Sequence, residues 1–199
     1  MYKKPLQARS IASEERFLDV LDILLKEKSY GQLTIDEIAE RAFLTRGAFL
    51  KRFGSKKQAL FVLWARYGER SMVVKNRLVE NLSAYTTALD ACTDISREIE
   101  ALQIHDFSAN RAMHEDFQED LQINDVTKQI FLNCVDLLHR VRQRFIDDNA
   151  PKDAKDFAAA QLVISLNYNY VLGAMPGLPA DPERRHSLIG RLVVEAMKA

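Results

Sequence analysis

Residues 34–53 read TIDEIAERAFLTRGAFLKRF, and this stretch decides how the chain is understood. It holds two short apolar-periodic segments, each opened by a threonine and parted by Phe43-Leu44. Thr34 with Glu37 three positions on makes a T-x-x-E capping box, which predicts a helix starting at Thr34 with Ile35, Ile38 and Ala39 on one face. Small Ala39 and Ala42 let a second helix approach closely. Thr45 caps that second helix, which turns Phe49 and Phe53 inward at i, i+4 and leaves Arg46, Gly47, Ala48, Lys51 and Arg52 largely on the outer side. The pattern is helix, tight turn, helix.

A basic outer face with little side-chain bulk suits the major groove of DNA, where small residues admit the backbone and Arg or Lys reach base edges and phosphates. Immediately downstream, Ser55 and Gln58 form an S-x-x-Q capping box whose first turn holds Lys56 and Lys57. Free backbone N–H groups and the helix dipole favour an anion there, and a DNA phosphate fits. Upstream, a helix over about Ser13–Lys28 places Phe17, Leu18, Leu21, Leu24 and Leu25 on one stripe that backs the pair. Lys3, Lys4 and Arg9 precede it as a basic arm that could follow phosphates or lie in the minor groove, although such a feature alone is more often a solvated terminus.

Residues of about 9 to 64 resemble the DNA-binding domain of the TetR family of bacterial transcriptional regulators. The resemblance rests on a long first helix ending near Ser29-Tyr30, then T-I-D-E-I-A-E-R-A, then T-R-G-A-F-L-K-R-F, then S-K-K-Q-A-L-F. It implies a homodimer on a palindromic double-stranded operator, and a helical ligand-binding domain through which a small molecule releases a repressor. On that footing Arg46 contacts base edges, Lys51 a base or a phosphate, Thr34, Thr45 and Lys56 hold phosphates, and Gly47 and Ala48 permit close approach. Two positions depart from the family pattern: Phe43 stands where glycine is common, and Leu50 where a phosphate-touching tyrosine is common. A left-handed backbone at Phe43 costs on the order of 1–2 kcal/mol.

The remainder is consistent with an all-α fold. Seven glycines and five prolines are few, strand-like alternation is nearly absent, and 47% hydrophobic residues suffice for a core. Formal net charge is zero, yet residues 1–60 carry twelve Lys or Arg against eight Asp or Glu, and the other 139 residues carry 16 against 20. The basic excess therefore sits at the helix-turn-helix end, where phosphate neutralisation needs it. No apolar run reaches the length of a membrane span and no secretory core is present, so the expectation is a cytoplasmic protein that does not enter the membrane.

Two widely spaced cysteines, Cys92 and Cys134, indicate buried thiols rather than a scaffold or zinc site. His105 and His114 lie near Asp106, Glu115 and Asp116 without metal-ligand spacing, and His139 and His186 read as helix-surface residues. No nucleophile–base pattern or glycine-rich phosphate loop is visible, so neither an enzyme nor a metal or cofactor is expected.

After a long helix over about Ser55–Asn81, helices are expected over about Ser83–His105, Ser108–Gln122, Asn124–Asp148 and Asp153–Leu172. A last helix follows the Met175–Pro182 turn. Phe107, Met113, Phe117, Phe131, Tyr168 and Tyr170 are candidates to line a ligand pocket, though aromatics at helical spacing are more often plain core. By resemblance the last two helices form the dimer interface, with Leu162, Leu166, Leu188, Ile189, Leu192 and Val193 as its apolar residues. The expected organisation is a three-helix DNA-binding domain over 1–54 and a larger helical effector-binding and dimerisation domain over 55–199, linked by the helix from about 55 to 81. A protein-interaction module on the same scaffold, or a small helical enzyme, remains an alternative reading.

Overall fold

The computed structural model describes residues 7–117 and 120–199, and among them the regular structure is helical throughout. The α-helices are α1 (Ala8–Glu27), α2 (Ile35–Arg41), α3 (Arg46–Phe53), α4 (Lys56–Glu80), α5 (Ala88–His105), α6 (Phe107–Asp116), α7 (Leu121–Phe145), α8 (Ala154–Val171) and α9 (Pro182–Lys198). Short 3-10 turns cover Tyr30–Gln32 and Asn81–Ala84. Lys3 and Lys4 of the basic arm lie outside the described residues. Arg9 belongs to α1, which starts five residues before the expected Ser13. α5 starts at Ala88 rather than Ser83, because Thr87 and Asp90 close a reciprocal box: the Asp90 carboxylate accepts from Thr87 N–H at 3.0 Å, and Asp90 N–H donates to Thr87 Oγ1 at 3.2 Å.

Contacts divide the chain into two units, and not at residue 54. One comprises Met1–Tyr67 with Asp106–Asn124, the other Gly68–His105 with Asp125–Ala199. Helix α6, expected in the second domain, therefore belongs with the helix-turn-helix. It is fastened to α1 there: the Ser108 hydroxyl donates to Asp22, and Arg111 Nη2 donates to the Leu25 carbonyl at 2.8 Å. The second bond satisfies one of the carbonyls that the end of α1 leaves without a helical partner. The core of this unit is the apolar stripe of α1, with Phe17 meeting Phe49 at 5.2 Å and Phe53 at 6.0 Å, both edge to face. Gly54 at φ +76° ends α3, its N–H donating to the Leu50 carbonyl at 2.8 Å.

The second unit packs α5, α7, α8, α9 and residues 68–80 of α4 around Ile95, Val135, Leu138, Val141, Val163, Ile189 and Val193. Cys92 and Cys134 lie in this core, and burial pushes both thiols up to about 12, which keeps them protonated and unreactive. Gly190 sits where α9 crosses α5: a methyl group there would lie 2.8 Å from Thr93 Oγ1 and 2.9 Å from Thr93 backbone nitrogen. The glycine is what allows the crossing to be that close.

Polar side chains are buried in the same crossing. Asn167 Nδ2 donates to Ser96 Oγ at 3.2 Å and to the Val163 carbonyl at 2.8 Å, and Ser96 Oγ lies 3.0 Å from His186 Nδ1. Arg185 pairs with Glu100 at 2.7 and 2.9 Å, donates to the Pro179 and Ala180 carbonyls, and covers the Tyr170 ring at 3.7 Å. His186 is thus no surface residue, contrary to its reading in sequence, because α9 turns it between α5 and α8. The serine and histidine meet inside a wholly buried crossing and are shared with Asn167, an arrangement no substrate can reach. A second buried clasp closes the corner after α7: Arg142 donates to Asp153 at 2.8 Å and to the Pro151 carbonyl, and His139 Nδ1 lies 3.1 Å from Asp156.

Two outcomes follow from this packing. Gly190→Ala destabilises the protein by about 1–3 kcal/mol, since the added carbon meets the Thr93 backbone nitrogen at 2.9 Å as well as the Thr93 hydroxyl, and the backbone cannot swing aside. Thermal unfolding measures it. Burial holds the His186 imidazole below its ordinary range, with Glu100, Glu183, Arg185 and Arg97 facing it. Its folded-state pKa lies below the unfolded value of about 6.5, so the unfolded chain takes up the proton first as pH falls. Stability therefore declines as pH drops through about 6.5, levelling once the folded-state pKa is passed. His186→Asn flattens that part of a melting-temperature profile.

Candidate nucleic-acid interface

The helix-turn-helix takes its shape from two capping threonines. Thr34 Oγ1 accepts from Glu37 N–H at 3.2 Å, and Thr45 Oγ1 accepts from Ala48 N–H at 3.1 Å. Each hydroxyl is exposed and keeps its own proton for an outside acceptor. Between the helices, Phe43 N–H donates to the Glu40 carbonyl at 3.0 Å and Leu44 N–H to the Ala39 carbonyl at 2.9 Å. This closes α2 with Phe43 at φ +54°, in the left-handed region, so the cost attached to a non-glycine residue there applies.

Burying Phe49 and Phe53 orients α3 so that Thr45, Arg46, Gly47, Leu50 and Lys51 face outward, with Ala48 half-buried. Gly47 is required by nothing inside the protein: its φ is not positive, and an added methyl would meet only Thr45 Oγ1, at 3.9 Å. The space it leaves lies outside.

Three basic side chains lie differently from their reading in sequence. Arg52 does not join the outer strip; it is mostly buried and turned toward α1, with Nε 3.9 Å from the buried Glu14 carboxylate. Residue 52 falls one helical step past Lys51, and the inward pull of Phe53 carries it over α1.

Lys56 is likewise directed inward. Its ammonium donates to the Leu33 carbonyl at 2.6 Å and the Tyr30 carbonyl at 2.8 Å, and it stands 4.1 Å above the Tyr30 ring. Desolvation pushes its pKa down from the ordinary lysine value. Its acceptors are two backbone carbonyl oxygens of the connection between α1 and α2.

Lys57 pairs with Asp120 at 2.7 Å and lies over the Phe61 and Phe117 rings. Arg46 remains on the outer face but is paired, its Nη1 donating to Asp36 of α2 at 2.5 Å. Sequence reading overlooked Asp36. The signal was available, since residues 36 and 46 both fall at the N-terminal ends of adjoining helices.

The six candidate pocket residues are divided between the two units. Phe107, Met113 and Phe117 belong to the first unit, where Phe117 packs on Tyr30 at 5.1 Å and Phe61 at 5.9 Å. Phe131, Tyr168 and Tyr170 belong to the second, where Phe131 meets Phe157 and Tyr170 lies under Arg185. Of the six candidate interface residues, Ile189 and Val193 are fully buried within the chain's own core and are unavailable to a second copy. Leu162, Leu166 and Leu188 are half-buried, and Leu192 is 41% exposed. Among the described residues no group of three or more His, Cys, Asp or Glu is placed to hold a metal, and no helix is long and apolar enough to cross a membrane.

Residues 17–62 match the family of bacterial regulatory proteins of the tetR type. Comparison with curated proteins finds no match. Among solved structures the fold is shared along nearly the whole chain. NalD, the secondary repressor of the MexAB-OprM multidrug efflux pump in Pseudomonas aeruginosa, is 16% identical with a TM-score of 0.67, over 94% of this chain and 97% of that one. The TetR-family regulator PfmR of Thermus thermophilus is 14% identical with a TM-score of 0.66, over 90% and 97%. The regulator FadR of Bacillus subtilis, solved with stearoyl-CoA, is 16% identical with a TM-score of 0.63, over 92% and 96%. The two threonine-capped helices lie within the stretch that matches the tetR family, and the helical fold of the described residues is the one these solved regulators share.

Proposed function

We propose that this protein is a repressor that binds a palindromic DNA operator as a homodimer in the cytoplasm and is released by a small molecule held in its second unit. The observation that carries the reading is the exposed strip of Thr34, Thr45, Arg46, Gly47 and Lys51 on two capped helices joined by a tight turn. Helix α3 enters the major groove, the threonine hydroxyls donate to phosphates, Gly47 and Ala48 admit the backbone, and Arg46 reaches base edges. To do so Arg46 leaves Asp36, exchanging one carboxylate for a guanine edge. Asp36 acts as a restraint on unspecific binding, because with Arg46 paired the free protein presents less positive charge to random DNA.

Dimerisation is supported by the apolar residues that α8 and α9 leave uncovered, Leu162, Leu166, Leu188 and Leu192, and two-fold symmetry asks for half-sites about one helical turn, or a multiple, apart. A small molecule acts by preferring the arrangement that does not bind DNA; a hundredfold loss of operator affinity needs about 2.7 kcal/mol of differential binding. FadR with stearoyl-CoA and the repressor NalD support the effector and repressor parts of the reading by shared fold.

The test is selection of binding sites from random DNA, with fluorescence anisotropy at two salt concentrations and the oligomeric state recorded on the same sample. A palindromic sequence bound far more tightly than random DNA, with a steep salt dependence, is the expected result. No enrichment and weak binding at both salts overturn the reading.

Arg46→Ala flattens sequence preference, whereas Lys51→Ala shallows the log–log salt slope by about 1. Asp36→Asn has the opposite sign: binding to random DNA tightens and its salt slope steepens. Lys56→Ala lowers stability by about 1–2 kcal/mol in thermal unfolding, because the Tyr30 and Leu33 carbonyls lose their charged donor. Its effect on the salt slope is smaller than that of Lys51→Ala.

A further inference from the structure

Phe43 bears two unfavourable features at one position. Its backbone is left-handed, at φ +54°, and its ring is 90% exposed, the most exposed large apolar side chain among the described residues. Glycine removes both: it adopts that backbone without steric penalty and has no ring to solvate. Nothing within the protein repays them, for Leu44 is the half-buried residue of the turn and Phe43 is directed away. An outlier of this kind points outward to a contact made only in complex.

The surroundings say which contact. Phe43 lies two residues before Thr45, the cap of α3, and three before Arg46, at the end of the helix that meets base edges. One turn beyond Arg46, Leu50 is 37% exposed on the same face. The strip thus adds apolar groups to its charged ones, both next to Arg46. The exposed residues that follow it in sequence are Thr45, Arg46 and Gly47, and Leu50 is only 37% exposed, so these residues form no apolar patch of the size protein partners use. Duplex DNA offers apolar groups amid charge: the thymine 5-methyl in the major groove and deoxyribose carbons along its wall.

We infer that Phe43 is a specificity-determining residue whose ring packs on such an apolar group of the operator duplex, the complex offsetting the strain and exposure of the free protein. The inference rests on the DNA-binding reading above.

The test compares wild type, Phe43→Gly and Phe43→Ala on the operator selected by wild type, on random DNA, and on the operator with each thymine in turn replaced by deoxyuridine, which lacks the methyl. Phe43→Gly is expected to melt higher by roughly 2–4 °C, so a loss of binding cannot be ascribed to misfolding. It is expected to bind the operator about tenfold or more weakly, the order contributed by burying a phenyl ring, with random-DNA binding little changed. Phe43→Ala keeps the strain, loses the ring and shows the same weakening. Sensitivity of wild type to one deoxyuridine, absent in both variants, assigns the contact to a thymine methyl. The same weakening with no deoxyuridine effect assigns it to deoxyribose. If the variants hold the operator within about twofold of wild type, the inference is overturned while the regulator reading stands. If wild type selects no sequence, the regulator reading falls and the inference with it.

Discussion

Three phenyl rings hold the first unit in its working shape. Phe17 of α1 takes the edges of Phe49 and Phe53, which lie 5.0 Å from each other on α3. Because the two rings are spaced i, i+4, burying both fixes the rotation of a helix only eight residues long about its own axis. Everything said of the exposed strip depends on that rotation. A helix so short has little stability of its own, so its face is set by what it buries rather than by propensity.

The charge distribution is a second consequence of that packing. The basic excess of the first sixty residues does not translate into a basic surface strip of the same size. Arg52 turns to Glu14, Arg41 forms a two-pronged pair with Glu27 at 2.6 Å, Lys28 meets Glu37 at 2.6 Å, and Lys56 serves backbone carbonyls. Lys56, which the sequence suggests for a phosphate, and Arg52, which it places on the outer face, are thus engaged within the protein. The cations left on the outer face of α3 form a short strip in which Arg46 is itself held by Asp36.

The second unit is organised differently, around polar groups buried in helix crossings. Ser96, Asn167, His186, Glu100 and Arg185 bond to one another where α5, α8 and α9 meet, and at the corner from α7 to α8 Arg142 bonds to Asp153 and His139 to Asp156, while Arg142 Nε and Asp156 Oδ1 share only an ion-pair contact at 3.4 Å. Buried charge contributes little net stability, but an unpaired partner is strongly unfavourable, so such pairs penalise any other register of the helices. Gly190 reinforces this by tolerating the α5–α9 crossing only with no side chain between them.

Much was legible in the residues alone. Caps at Thr34, Thr45 and Ser55, the spacing of Phe49 and Phe53, and the apolar stripe of α1 are local patterns, set by hydrogen bonds and side chains within a few turns, and they determined the all-helical class and the helix-turn-helix. Tertiary structure decided where long side chains go. Lys56 could reach a phosphate or the carbonyls of Tyr30 and Leu33, 23 and 26 residues away in sequence, and only the fold brings those carbonyls within its reach. The same holds for Ile189 and Val193, whose apolar stripe fits a partner or the chain's own core equally well until α5 takes the place beside them. Helical periodicity tells which residues share a face, but which neighbour covers that face depends on contacts distant in sequence, and those exist only once the chain has folded.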